Sequence, residues 1–363
     1  MKRLILRTLG GLFALLLLLT LGEAQIFRYG ADRLRAALAP APVTRADRAP
    51  PQALLDGLAH DPAALTLLAA GDVAECARHD ALGQFWPALT GDLGLPIASD
   101  DSASLARDTA TLAAATPGAL VLGLGDLAYH RGTTTEYETC FDPLWGALVP
   151  RMLPTPGNHD YRTIQATGYY DYWRQQAGAG QEGYYAVRWQ NWLLLSLNSE
   201  TDAAPGSAQA DWLEAQLAAA PEACVLAYFH KPAWSLRERV HSEAARALFA
   251  RLDRAGATAV LNGHNHFYER TLPLDPEGQP ARDGLVGFTI GVGGETSGPA
   301  PLAPTTARAI FGAPGLLEIT LQEDALSWDF LRAPDGAALD SGQIPCRARG
   351  PAPERHAALA ARP

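Results

Sequence analysis

The stretch LGLGDLAYHRG, residues 122–132, decides how the chain is read. An apolar run that fits a buried strand stops at Gly125-Asp126, and a phenol, Tyr129, stands three residues beyond the carboxylate. The pattern recurs. ALTLLAAGD ends on Asp72, RMLPTPGNHD on Asn158 and His159, ACVLAYFH on His230, and TAVLNGHNH on His264 and His266. In open α/β sheets, sites gather at the carboxyl ends of strands. Five strand ends that carry polar donors therefore predict one convergent site.

The segments between them alternate. ASLARDTATLAAAT has helical character and is ended by Pro117-Gly118, and an Ala-rich helix starts near Ser207. SEAARALFARLDRAGA places Ala245, Leu248, Phe249 and Leu252 on one helix face and stops at Gly256. GYYAVRWQNWLLLSLNS reads as two antiparallel strands, and GLVGFTIGVGG, GLLEITL and a last hairpin through ALSWDFLRAPDGAALDSGQI add more. Alternating strands and helices predict α/β layering, and the strand-rich end predicts a second sheet packed on the first.

The 363 residues suffice for two domains or one large α/β domain. The basic MKRLILR, the apolar TLGGLFALLLLLTL and the small-residue positions Gly22 and Ala24 have the layout of a secretory signal peptide, residues 1–24. The alternative is an uncleaved anchor with Arg7 snorkelling, the one case in which the protein touches a membrane. Both place the remaining chain outside the cytoplasm, periplasmic or secreted. The Ala/Pro-rich residues 25–64 read as a linker, 65–346 as the folded domain and 347–363 as a disordered tail. The net charge of −10 becomes −12 once three cations and one carboxylate leave with residues 1–24. So acidic a chain excludes nucleic acid as a partner, because that needs a basic footprint. Four cysteines in an exported chain fit two disulfides, with three pairings open.

Two carboxylates, an amide oxygen, three imidazoles and a phenol make a mixed oxygen and nitrogen donor set without thiolate. Such sets suit Fe, Mn or Zn. A carboxylate can bridge two ions, and a pair about 3.5–4 Å apart can clamp both oxygens of an in-line displacement.

In this order, AAGDVAEC, GDLAY, GNHD, AYFH and GHNHFYER resemble the five-block signature of calcineurin-like metallophosphoesterases, from residue 65 to at least 294. The tyrosine of GDLAY and the YER of the last block resemble more narrowly the purple acid phosphatase branch and its bacterial secreted relatives. The resemblance implies an α/β fold of two mixed β-sheets packed face to face and flanked by helices, a four-layer α/β/β/α sandwich. It also implies two metal ions. Asp72, Asp126, Tyr129 and His266 would hold the first, and Asp126 as bridge, Asn158, His230 and His264 the second. A phenolate is a hard anionic donor, so Fe(III) is expected first, with Fe(II), Zn(II) or Mn(II) second. His159 and Asp126 would be catalytic, and His159 and Asn158 would meet the substrate phosphate, with Lys231 and His241 as further candidates. Tyr268 and Arg270 would brace the histidine loop. Cysteine positions in the bacterial relatives imply that Cys76 pairs with Cys140, and so Cys224 with Cys346.

The sequence departs from the family pattern at Ala74 and Ala227, neither a donor. It also has a long segment at 77–101, whose Phe85 and Trp86 are expected to rim the site or to pack on each other. The implied activity is hydrolysis of phosphomonoesters, small-molecule phosphate esters, by in-line attack of a metal-bound hydroxide. The alternatives are a phosphodiesterase or nucleotidase on the same scaffold, and a non-catalytic exported binding protein.

Overall fold

The computed structural model describes residues 48–58, 63–78, 96–98, 100–220, 222–237 and 242–347, with the backbone alone at 76–78, 96–98 and 100–102. The leader at 1–24, Phe85, Trp86, His241, the Cys76 side chain and the tail beyond 347 lie outside that description.

In chain order the elements are α1 (Pro51–Gly57), β1 (Leu65–Ala70), β2 (Cys76–Arg78), β3 (Pro96–Ala98), α2 (Asp100–Ala114), β4 (Leu120–Leu124) and β5 (Met152–Thr155). Then follow α3 (Thr167–Trp173), β6 (Tyr185–Trp189), β7 (Trp192–Ser196), α4 (Ala208–Ala219), β8 (Cys224–Tyr228), α5 (Glu243–Arg254), β9 (Ala259–Asn262), β10 (Tyr268–Thr271) and β11 (Val286–Ile290). The chain closes with β12 (Thr306–Ile310), β13 (Gly315–Leu321), β14 (Ala325–Arg332) and β15 (Ala338–Pro345).

Two mixed sheets form the body. One has the order β15-β14-β13-β1-β4-β5, and the other β12-β10-β11-β9-β8-β7-β6. The parallel pairs are β1 with β4 and β4 with β5 in the first sheet, and the run β7-β8-β9-β11 in the second. The strand period of two explains how the second sheet faces two ways. Leu194, Leu226 and Leu261 join one apolar core with Leu67, Leu122 and Leu317 of the first sheet. Their neighbours Leu193, Val225, Ala227 and Val260 join another with Leu213 and Leu217 of α4 and Leu248 and Leu252 of α5. The first core lies between the sheets and the second beneath the helices, the layering expected for the α/β class.

The helices start where the sequence places capping groups. The Ser207 hydroxyl accepts from the Ala210 N–H ahead of α4, and that of Ser242 from the Ala245 N–H ahead of α5. On α5, Ala245, Leu248, Phe249 and Leu252 are the buried apolar positions. Each large apolar side chain buried this way contributes about 1.5–3 kcal/mol.

One boundary is corrected. Part of the expected 25–64 linker is folded body, because Pro51–Gly57 forms a helix with Leu54 and Leu55 buried. Proline suits a first helical turn, and the two leucines give the turn an apolar face despite its Pro-rich surroundings. Gln52 then exchanges two hydrogen bonds with the Arg188 backbone, of 2.8 and 3.1 Å, and covers the edge strand β6. At the other end, Arg347 pairs with Asp253 at 2.9 Å instead of belonging to a loose tail.

Candidate metal centre

Every parallel strand that the sequence singled out delivers its donor to one crevice between the ends of the two sheets. Asp72 follows β1, Asp126 follows β4, and Asn158 and His159 follow β5. From the facing sheet, His230 follows β8, while His264 and His266 follow β9. Backbone hydrogen bonds join the sheets there, from Gly71 N to Ile290 O and from Gly293 N to Gly71 O, both 2.9 Å.

The donors fall into two groups. In the first, the Tyr129 hydroxyl donates to Asp72 Oδ1 at 2.5 Å, and His266 Nε2 lies 3.3 Å from that oxygen and 3.4 Å from the phenol. In the second, His230 Nε2 lies 3.0 Å from Asp126 Oδ2 and 3.2 Å from Asn158 Oδ1. One ligand atom each from Asp126, His230 and His264 lie within 4.8 Å of one another.

Close approach of backbones makes this possible. A Cβ on Gly125 would stand 2.6 Å from His230 Nδ1, and one on Gly263 would stand 2.6 Å from Leu124 O and 2.7 Å from Asp72 Oδ2. Glycine before the donor is thus a packing requirement at these two strand ends. The donors themselves carry unusual backbones, with φ of 58° at Asp72, 49° at Asp126 and 70° at His264. Aspartate and histidine tolerate this left-handed region better than most residues.

Two imidazoles have fixed tautomers. His230 Nδ1 donates to Leu124 O at 2.8 Å and His159 Nδ1 to His130 O at 2.7 Å, which turns each Nε2 towards the crevice. Such carbonyl partners are what orient metal-ligating histidines. His264 Nε2 is buried and has no hydrogen-bond partner among the described residues. A buried polar atom without a partner costs about 1–3 kcal/mol, so the site calls for something in the crevice. A divalent or trivalent cation fits this donor set of carboxylate, amide, phenol and imidazole.

The electrostatics agree. Burial alone would lift the Asp126 carboxyl, but His230 and His159 hold it well below the usual range, and His266 and His230 do the same for Asp72. Burial alone would lower His230, but the Asp126 carboxylate outweighs it and lifts the imidazole to about 10. Burial and the charge of His230 push His264 down to about 3, which leaves its lone pair available. Burial and the Asp72 carboxylate drive the Tyr129 phenol well above its ordinary value. Protons thus stand where cations would, and metal binding at such donors releases them.

A model of the calcineurin-like phosphoesterase family matches residues 85–268, half of the chain. The chain belongs to the calcineurin-like phosphoesterase family. The match begins beyond Asp72, which the geometry above places beside Tyr129 and His266. Probable purple acid phosphatase 20 of Arabidopsis thaliana is 27% identical over 243 residues, 58% of this chain and 56% of that protein. The chain therefore spans little more than half the length of that curated relative. The structure of purple acid phosphatase PPD1 from yellow lupin (Lupinus luteus) seeds matches with a TM-score of 0.61 at 16% identity, over 79% of this chain and 55% of that one. GAP50, the anchor in the inner membrane complex of Plasmodium, matches with a TM-score of 0.57 at 13% identity, over 82% and 95%. These two structures share the fold of this phosphoesterase-family chain, and the purple acid phosphatases carry its likeness to that branch.

Some expected residues stand apart. Lys231 does not present a free ammonium to the crevice, because its Nζ lies 2.5 Å from the Glu200 carboxylate. Tyr268 and Arg270 reach away from the histidine loop to Asp340 on β15, at 2.7 Å from the phenol and at 2.8 and 3.1 Å from the guanidinium. They tie β10 of one sheet to the edge strand β15 of the other. Cys224 and Cys346 form a disulfide that anchors the end of β15 to the start of β8, and Cys140 is also disulfide-bonded. The sequence reading missed His130, whose carbonyl holds His159. A role carried by a backbone atom leaves no mark in residue type.

Proposed function

We propose that the chain is a dinuclear metal-dependent phosphatase that hydrolyses phosphomonoesters. The observation that carries the reading is the orphaned His264 Nε2, buried beside Asp126 and His230 in a family whose chemistry acts on phosphate esters. Asp72, Tyr129 and His266 would hold one cation, and Asn158, His230 and His264 the other, with Asp126 shared by both. When bound, two cations supply a nucleophile drawn from water near neutral pH and neutralise phosphoryl charge. His159, its Nδ1 fixed and its Nε2 3.9 Å from Asp126 Oδ2, meets the substrate phosphate and gives a proton to the leaving oxygen. Asn158 is within reach of the same phosphate.

The phenol of Tyr129 resists ionisation where it lies. A phenolate is a hard anionic donor, and that chemistry supports Fe(III) in the first position, with Fe(II), Zn(II) or Mn(II) in the second. The leader-like residues 1–24 and the Cys224–Cys346 disulfide support export to the periplasm or beyond. No helix among the described residues is long and apolar enough to cross a membrane.

Elemental analysis and a visible spectrum of protein as isolated, with parallel assays of an aryl phosphomonoester and its diester, test the proposal. Two metals, colour and faster monoester hydrolysis are expected. Faster diester hydrolysis would move the assignment to a phosphodiesterase, and two bound metals without hydrolysis at any pH would leave a binding scaffold.

A further inference from the structure

Just beyond Tyr129 the chain wraps around one buried carboxylate. Glu136 Oε1 accepts from the His130 N–H at 2.7 Å, and Oε2 accepts from the N–H groups of Arg131 at 3.0 Å and Thr133 at 2.9 Å. Only the last of these belongs to a capping box, in which Thr133 Oγ1 accepts the Glu136 N–H in return. A helix that starts at Thr134 is capped by the Thr133 bonds and needs no grip on residues 130 and 131. Those two bonds call for another account.

The geometry of the peptide unit supplies it. In a planar trans peptide the N–H and the C=O point in opposite directions. Glu136 holds the Arg131 N–H, so the carbonyl of the same unit, His130 O, faces the other way. There it accepts from His159 Nδ1 at 2.7 Å and from Arg162 Nη1 at 3.2 Å. We infer that Glu136 is a positioning residue for His159, because it aims the His130 carbonyl and so fixes the tautomer and direction of the imidazole. The inference rests on the reading of His159 as the group that meets the phosphate. Glu136 touches neither the metal donors nor the place of the substrate. Its effect passes through one backbone carbonyl.

Glutamine at 136 keeps the shape but has one accepting oxygen, and its amide N–H would face a peptide N–H. The His130 unit is then free to turn. The test is a double-mutant cycle of wild type, E136Q, H159A and the double variant, assayed as isolated with an aryl phosphomonoester. E136Q is expected to lower kcat by about 10–100-fold, the usual effect of removing a group that orients an active-site histidine, with metal content at the wild-type level. In the H159A background the same change is expected to cost nothing more. An equal loss in both backgrounds, or full activity of E136Q, overturns the inference. H159A as active as wild type removes the reading beneath it, and that variant alone reveals this. E136D is carried through the same cycle, because its shorter carboxylate cannot reach both the His130 and the Arg131 N–H. Should E136Q fail to fold, E136D decides.

Discussion

Replacing His264 by leucine should change stability in opposite directions with and without metal. Leucine has about the volume of the imidazole and no polar atom. In protein stripped by a chelator, the substitution removes a buried nitrogen that has no partner, and with it a penalty of about 1–3 kcal/mol. Leucine tolerates the left-handed backbone at 264 less well than histidine, which offsets part of that gain. Stripped H264L should therefore be the more stable of the two stripped proteins in a urea titration, by less than about 3 kcal/mol. With metal the order inverts. A ligand at a thousandfold excess over its dissociation constant stabilises the native state by about 4 kcal/mol, and H264L gives up that gain at the second position. Four denaturation curves and metal stoichiometry on the same samples suffice. Stripped H264L less stable than stripped wild type would mean that Nε2 has a native partner in the apoprotein, and the ligand assignment of His264 would fall.

Tyr129→Phe should abolish any visible charge-transfer band and cost about 1.5–3 kcal/mol through the lost bond to Asp72, with circular dichroism unchanged; a coloured variant would clear the phenol of metal binding. Burial would lift the Asp340 carboxyl, but Arg270 and Tyr268 hold it below its ordinary value. A depressed carboxyl contributes stability that is in place above about pH 4 and is lost as pH falls through its folded value, so Asp340→Asn should flatten the acid limb of a stability profile. An unchanged limb would show the pair to be inert. Reducing the Cys224–Cys346 bridge, or replacing both by serine, frees a loop across 122 residues and should cost about 4–5 kcal/mol of unfolding free energy. A variant within about 1 kcal/mol of wild type, by the same urea titration, would refute that estimate.

The donors were legible because most sit where an apolar run ends on a polar side chain, with glycine directly before Asp72, Asp126, Asn158 and His264. The chemistry of Asp, Asn, His and Tyr then limited what such a convergence could hold. What stayed hidden depends on chain path. Lys231 and Glu200 are 31 residues apart, and their pairing follows from how the β8 end passes the loop after β7. The Thr133-x-x-Glu136 capping pattern is visible in TTTE, yet its two outer bonds arise only once residues 130 and 131 curl back over it. The α1 helix hid in composition, because proline and alanine dominate its neighbourhood while two leucines decide its packing.

The three strained donors share a cause that also explains why both sheets are needed. A strand left to its own dihedrals would carry Asp72, Asp126 and His264 straight on past the crevice. The left-handed step turns each chain back, at about 1–3 kcal/mol apiece. Neighbouring donors hold that strain in place. Asp72 N donates to Gly125 O at 3.1 Å, Val73 N to Asp126 O at 3.2 Å, and His264 N to Asp72 Oδ2 at 2.7 Å. The Asp72 carboxylate thus orders the histidine loop of the opposite sheet while its other oxygen faces Tyr129 and His266. Asp72→Asn keeps the size but removes the negative charge that faces Tyr129 and His266 on one oxygen and the His264 N–H on the other. It should therefore loosen both donor groups together, and metal titration of this variant should lose two ions, where H264L loses one. Loss of a single ion from Asp72→Asn would mean that the two groups are built independently and that the strained backbone does not couple them.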